Sequence, residues 1–369
     1  MHEALDFDDV LINPTRTAVE SRTEVNLEVN VTTWKHATQH WSGVPICIGN
    51  SEHVGTFPMA RMLTPLKFLS IIRKDEPLHD WKIAVTTMDP SYLCPTIGID
   101  NNKEQVDNLR QIMALHKDLK FICIDASNGY QLKMLNTIRK VRTVFPTKII
   151  IAGNVCTPEG VSTLLDAGAD IVKLGIGVED TDNSRWLTGV GHSQFSTIVL
   201  CSATANASGG YIMADGGFSS PGDISKALGA GAHFACVTSM FQGHEECDGI
   251  TIERVFKTGE MLGDQEALVA RKYKSFFSKN FLDSKDFPYR GSAIQTGNLI
   301  RDCLADTCMM VNARKLTDLP RHVTFTRVSK QPKIDLTNNQ FERKITSVGV
   351  LDKCNHQFPS NYKEGNDER

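Results

Sequence analysis

Residues 157–175, TPEGVSTLLDAGADIVKLG, and residues 220–239, SPGDISKALGAGAHFACVTS, follow one template. Each opens on a hydroxyl residue and a proline, Thr157-Pro158 and Ser220-Pro221. A hydroxyl side chain caps a helix start, and proline is pre-set for the first helical position. The helices are expected to close on Gly168 and Gly229, since glycine enters the left-handed region without a Cβ penalty. An apolar run follows each. The unit is therefore helix, tight turn, buried strand.

Outward from these copies, short apolar runs recur: VPICIG (44–49), FLSIIR (68–73), KIAVTT (82–87), FICID (121–125), KIIIAG (148–153), DIVKLG (170–175), YIMADGG (211–217) and HFACVTS (233–239). Unalternating runs of this length are expected of strands covered on both faces. Helical patterns separate them. Eight strand-plus-helix units in about 200 residues predict an α/β chain folded as a (β/α)8 TIM barrel. An open doubly wound sheet normally has fewer strands, and the first turn carries no GxGxxG. The alternation of Val25, Leu27, Val29 and Val31 predicts an N-terminal hairpin at an edge outside the barrel. Residues 1–330 are expected to form one barrel domain. An irregular flap is expected over about 240–295, with a hairpin in EECDGITIERVFKTGEM and an aromatic, charged stretch in SFFSKNFLDSKDFPYRG. The polar residues 331–369 are expected to be a disordered tail.

Composition narrows the function. A hydrophobic fraction of 41% is ordinary for a globular protein, and a net charge of −3 gives no electrostatic case for nucleic acid. The absence of a long apolar run or a signal-peptide core predicts a cytoplasmic protein without a membrane partner. The ten cysteines lack CxxC spacing, and several sit in apolar runs, as buried thiols do.

Barrel chemistry sits on the loops after the strands. Gly175-Ile176-Gly177 offers backbone to an anion or a monovalent cation, or is simply a tight turn. Asp215-Gly216-Gly217 favours ligand binding, with the carboxylate accepting both hydroxyls of a ribose. Asp125-Ala126-Ser127 either orients a cofactor amide or caps a helix. Asn154 is a ligand for an amide-bearing base or a turn residue. Lys74 meets a phosphate or is solvated. His53, His192 and His244 stand alone, and no hydrolase triad or HExxH is present.

The segments LDFDDVLINP (5–14), GNSEHVGTF (49–57), FICIDASNGY (121–130), IAGNVCTPEG (151–160), GADIVKLGIG (168–177), TGVGHSQFS (188–196), DGGFSSPGDISKALGAGA (215–232) and GHEE (243–246) resemble the GMP reductase family, in order, over roughly residues 5–328. IMP dehydrogenases share the barrel motifs, but this chain has no room for their inserted regulatory domain. The resemblance implies NADPH-dependent reductive deamination of GMP to IMP and ammonia. In it a cysteine on the loop after strand six attacks purine C2, and hydride then replaces the amine. It further implies potassium held by that loop, a homotetramer, and a purine nucleotide (GMP or IMP) as partner.

The residues carried over divide sharply. The resemblance places Asp215, Gly216 and Gly217 at the ribose, and Thr238 and Ser239 at the phosphate. It places Ser21, Arg22, Lys74, Asp125, Ala126, Ser127, Ile176 and Gly177 at the cofactor. Gly177, Glu179, Asp182 and Arg185 fall on the potassium loop. That loop reads GIGVEDTDNSR (175–185), against a family pattern like GIGPGSxCTTR. Asp182 stands at the nucleophile position and Ser184 at the proton-transfer position. A carboxylate is a far weaker nucleophile at a purine carbon than a thiolate. Thr238-Ser239 replaces a glycine pair, LGDQE (262–266) replaces the substrate-gripping GMSSE, and SFFSKNFL (275–282) replaces the flap's arginine and glutamate. Changes gathered at nucleophile, acid/base and phosphate positions predict a member with lost or strongly reduced activity. The alternatives are an active reductase with rearranged chemistry, Cys156 being the nearest thiol by topology, or a non-catalytic subunit that tunes an active paralogue.

Overall fold

A computed structural model describes residues 3–100, 102–178, 184–262, 265–277 and 284–328. The expected tail at 331–369 lies outside these, as do Glu179 and Asp182. A short strand β1 (Val10–Ile12) and an antiparallel ribbon, β2 (Val29–Val31) with β3 (Trp41–Gly43), precede the barrel. The barrel then alternates strand and helix: β4 (Ile46–Ile48), α1 (Phe57–Leu63), β5 (Leu69–Ile72), α2 (Leu78–Thr87), β6 (Leu93–Ile97), α3 (Asn102–Ala114) and β7 (Phe121–Asp125). It continues through α4 (Leu132–Val144), β8 (Ile149–Val155), α5 (Pro158–Ala167), β9 (Ile171–Leu174), α6 (Ser184–Thr188), α7 (Gln194–Ala207), β10 (Tyr211–Asp215), α8 (Pro221–Gly229) and β11 (Phe234–Val237). Strands β4 to β11 pair in parallel and close, β11 against β4, so the fold is a (β/α)8 TIM barrel.

The proline-capped template holds with one correction. Thr157 Oγ1 accepts the Gly160 N–H at 3.2 Å, and Ser220 forms a reciprocal capping box with Asp223. Gly168 closes its helix at φ +124°. In the second copy the left-handed residue is Gly231, at φ +109°, not Gly229, which still belongs to α8.

One expected strand is a helix. KIAVTT (82–87) is the end of α2, which buries Trp81, Ala84 and Val85 on one face. That i, i+3, i+4 spacing is helical, and the β-branched residues mask it. The third barrel strand is LCPTI, fully buried, where Pro95 pairs opposite Ile72.

The expected N-terminal hairpin is present as a two-stranded sheet separate from the barrel sheet, although its first strand begins at Val29 rather than at Val25. Its strand is Val29–Val31 and its partner is Trp41–Gly43. Val29, Val31, Trp34 and Trp41 join Phe121, Ile149, Ile171 and Phe234 in one core cluster. The ribbon therefore plugs the amino-terminal end of the barrel. Trp41 and Phe121 meet edge to face at 5.6 Å, and the Tyr92 hydroxyl donates to Ser42 O at 2.9 Å.

After β11, strands β12 (Ile250–Leu262), β13 (Gln265–Phe277) and β14 (Ser284–Pro288) form a three-stranded antiparallel flap. The hairpin was legible, whereas its third strand was not. Helix α9 (Ala293–Met310), helix α10 (Leu319–His322) and β15 (Phe325–Arg327) follow, and β15 pairs with β1. Among the described residues no helix is long and apolar enough to cross a membrane.

Candidate active site

Side chains alternate along a strand with a period of two. In β7, Phe121 and Cys123 point into the barrel, so Asp125 does too, one step above them. By the same parity Ile171 is followed inward by Lys173, and Met213 by Asp215. Three ionisable groups thus top the packed interior at the carboxyl ends of the strands, the end where barrel chemistry occurs.

They are bonded to one another. Lys173 Nζ lies 2.8 Å from Asp125 Oδ1, 3.0 Å from Asp215 Oδ2 and 3.3 Å from Asn50 Oδ1. Asn154 Nδ2 donates to Asp215 Oδ2 and to Gly175 O, both at 2.8 Å. Lys74 Nζ stands 3.4 Å from Asp125 Oδ2 and donates to Asp125 O at 3.1 Å. Lys173 is sealed at 1% exposure, while Asp125 and Asp215 remain open to the barrel mouth. Burial alone would raise the Asp125 pKa. The ammonium groups of Lys173 and Lys74 override it and hold the carboxyl at about 2. Burial pulls Lys173 down, but Asp125 and Asp215 leave it well above its ordinary value.

Of the residues expected at a ligand, the structure gathers Asp125, Ala126, Lys74, Asn154, Gly175 and Asp215. Ala126 pairs both ways with Gly153 and Asn154 through backbone bonds of 2.9 and 2.8 Å. Gly216 and Gly217 take φ +83° and +79°, the left-handed backbone that carries the chain away from Asp215. Gly177 is at φ +68°, and a Cβ there would come within 2.8 Å of Arg185 Cβ. Ser239 Oγ donates to Phe218 O at 2.5 Å, tying the loops after β10 and β11 together, and Thr238 packs on Gly49. Ser21 and Arg22 stand apart. Ser21 caps a short helical turn, and Arg22 is held by Asp302 and Asp306 of α9. Ile176 and Ser127 sit on the loops after β9 and β7. Ser184 begins α6.

Lys173, Asn50 and Gln194 were not singled out from the sequence. The signal for Lys173 was a lysine at an inward position of an otherwise apolar strand. Gln194 Nε2 donates to Leu174 O at 2.8 Å, and its own Oε1 is buried without a partner.

A cavity of about 550 Å3 opens beside these groups, lined among others by Asn50, Arg73, Lys74, Asp125 and Phe276. Arg73 closes one wall by pairing with Glu76, Asp248 and the Glu52 carbonyl. His53 is clamped between flap residues Phe276 and Phe287, with ring centroids at 5.0 and 5.1 Å. His192 bonds Thr197 Oγ1 and His244 bonds Thr296 Oγ1, each at 2.9 Å, so both have local structural partners.

Chemistry of the thiols is restricted by burial. Desolvation pushes Cys123 inside the barrel up to about 12 and raises Cys47, Cys94 and Cys236 well above the ordinary thiol range. Cys156, at the end of β8, is half-buried, with its sulfur 3.7 Å from the Tyr130 hydroxyl.

Residues 4–335 match the IMP dehydrogenase / GMP reductase domain. The chain belongs to that family. It is 39% identical over 339 residues to a GMP reductase of Photobacterium profundum, covering 89% of this chain and 95% of that protein. It is 38% identical over 335 residues to GMP reductases of Yersinia enterocolitica and Yersinia pestis, with the same coverage. For this family member the fit to a nicotinamide cofactor can be tested on its own residues. Asp125, held ionised, is an acceptor for an amide, and Lys74 beside it is a cation for a phosphate. The potassium-loop residues Glu179 and Asp182 lie outside the described part.

Proposed function

We propose that this protein binds a purine nucleotide of the GMP/IMP type at the barrel mouth, and that its reductive deaminase activity is lost or strongly reduced. The observation that carries the reading is a division within one site. The ribose-side group Asp215–Asn154–Lys173 is intact, while the position of the nucleophile is Asp182. The Asp215 carboxyl offers two acceptor oxygens, suited to the two hydroxyls of a ribose. Asp125 and Lys74 face the neighbouring cavity, where NADPH would bind and supply the hydride. What is missing is a thiolate at the position that would attack purine C2. The barrel-interior thiols cannot substitute, because burial keeps them protonated. The protein is accordingly a cytoplasmic, oligomeric binding member of an enzyme family, possessing the ligand sites and lacking the covalent step.

The direct test is a titration of the purified protein with GMP, IMP and NADPH. Saturable binding of GMP or IMP supports the reading. No binding of either at millimolar concentration overturns it.

A second reading has one observation in its favour. Cys156 lies two residues beyond Asn154, which touches Asp215. Its sulfur is half-buried and within reach of a phenol. A working reductase with Cys156 as nucleophile would form a covalent nucleotide adduct mapping to that residue. Mass spectrometry of protein quenched with GMP decides: an unmodified Cys156 removes this alternative.

A further inference from the structure

The ammonium of Lys173 joins two carboxylates that come from different strands. Its partners are Asp125 on β7, Asp215 on β10 and Asn50 on the loop after β4, at 2.8, 3.0 and 3.3 Å. Of its three N–H donors, the ammonium gives hydrogen bonds to Asp125 and Asn50, and Asp215 completes an ion pair. At 1% exposure the group has no route to water, so its charge is compensated by the two carboxylates or not at all. The carboxylates keep accepting capacity for others. Asp215 Oδ2 also takes the Asn154 amide, and Asp125 Oδ2 faces Lys74. Beneath and around the ammonium, the other titratable groups include the thiols of Cys123 on β7, Cys236 on β11, Cys47 on β4 and Cys94 on β6. Burial keeps all four protonated.

We propose that Lys173 is the positioning residue of this site. Its sealed ammonium holds Asp125 and Asp215 side by side as a fixed pair of carboxyl acceptors, one for the ribose hydroxyls and one for the cofactor amide. The inference rests on the reading of Asp215 as the ribose acceptor. Two carboxylates that both reach one ammonium lie close to each other. Without the ammonium they repel, and the pair retains a proton into a higher pH range. The acceptors then lose both their fixed geometry and their full charge. A role in packing alone would not make the loss of affinity, relative to the wild type, depend on pH.

The test is the affinity for GMP as a function of pH in the wild type, Lys173→Met and Lys173→Arg, with folding checked by circular dichroism. The expected result has three parts. Wild-type affinity changes between about pH 5.5 and 8 only as the GMP phosphate itself titrates, at about pH 6. Lys173→Met binds about tenfold or more weakly at neutral pH, and the ratio of its affinity to that of the wild type varies with pH across that interval. Lys173→Arg, which keeps the charge, recovers the wild-type profile. If Lys173→Met does not fold, Lys173→Met/Asp125→Asn, which removes one charge of each sign, replaces it. It is expected to bind weakly, at a constant ratio to the wild type across the interval, because a single carboxylate remains. Wild-type affinity in whichever variant folds overturns the inference, as does a loss in Lys173→Met that keeps a constant ratio to the wild type at every pH. Wild-type protein that binds no GMP overturns the reading of Asp215 instead, and the inference falls with it.

Discussion

Asn154 and Asp215 lie on strands separated by β9, and the Asn154 amide donates to Asp215 Oδ2 at 2.8 Å across it. The same amide holds Gly175 O at 2.8 Å, so one side chain ties together the loops after β8, β9 and β10. Asp215 is thereby aimed before any ligand arrives, and a pre-aimed acceptor loses less entropy on binding.

Asp215→Asn is the first consequence. A hydrogen bond to a charged group contributes about 1.5–3 kcal/mol, which corresponds to about 10- to 100-fold in affinity. GMP affinity measured by calorimetry should fall within that range. Asn154→Ala leaves the carboxylate in place and removes only its orientation, so a smaller loss of several-fold is expected. Equal affinities in the wild type and Asp215→Asn would place the ribose elsewhere.

Gly175 supports the same carboxylate from its backbone side. It adopts φ +144°, and a Cβ there would sit 2.3 Å from Asp215 O. Gly175→Ala must displace the end of β10. A loss of about 1–3 kcal/mol is expected, from strain and overpacking together. Chemical denaturation reads the stability and titration reads the weakened nucleotide binding. A variant with unchanged stability and affinity would show that the close approach is tolerated.

Asp170 is a buried carboxylate of a different kind. It is 0% exposed, pairs with Arg142, and accepts the backbone N–H groups of His36, Ala37 and Ile150 at 2.8, 3.0 and 2.9 Å. These contacts fasten the amino-terminal ribbon to the barrel, far from the mouth. Asp170→Ala strands a buried guanidinium and three donors, with an expected loss of about 3–5 kcal/mol. Ligand affinity of the folded fraction should be unchanged. A mild thermal shift would mean that water reaches this cluster.

Stability should fall on mild acidification, and His53 carries part of the effect. Burial, aided by the Lys285 and Arg73 cations against the opposing Asp248, lowers its pKa to about 4. Burial likewise puts His233 at about 4. Each group is depressed relative to the unfolded chain, which therefore binds the proton first. The stability tied to the neutral form is complete above about pH 6.5. It declines by up to about 1.4 kcal/mol per pH unit per group until about pH 4. His53→Phe keeps a ring between Phe276 and Phe287 and cannot titrate. It should remove one group's share of the slope in denaturation curves taken from pH 7 to 4.5. An unaltered slope would assign the acid sensitivity to other groups.

The barrel was legible because proline-capped helices and doubly buried strands leave local marks. Thr157-Pro158 and Ser220-Pro221 announce a helix within two residues. Where two signals conflicted, the reading failed: KIAVTT has strand-like composition and helical burial, and LCPTI carries a proline inside a paired strand. Asp215 and Asp125 were legible as carboxylates ending apolar runs. Lys173 was not, because its meaning depends on two partners 48 and 42 residues away along the chain, which only barrel closure brings within 3.0 Å. The third flap strand, Ser284–Pro288, was hidden for a similar reason: its charged residues pair with β13 rather than with a core.

The central claim is that ligand sites remain where the covalent step is lost. The measurement that tests it most directly is the reduced-nicotinamide absorbance of purified protein mixed with GMP and NADPH, at concentrations where GMP binding is saturated. The account predicts no enzyme-dependent loss of absorbance and no release of ammonia. Steady oxidation of NADPH with formation of IMP, on the order of 0.1 per second or faster, would contradict it.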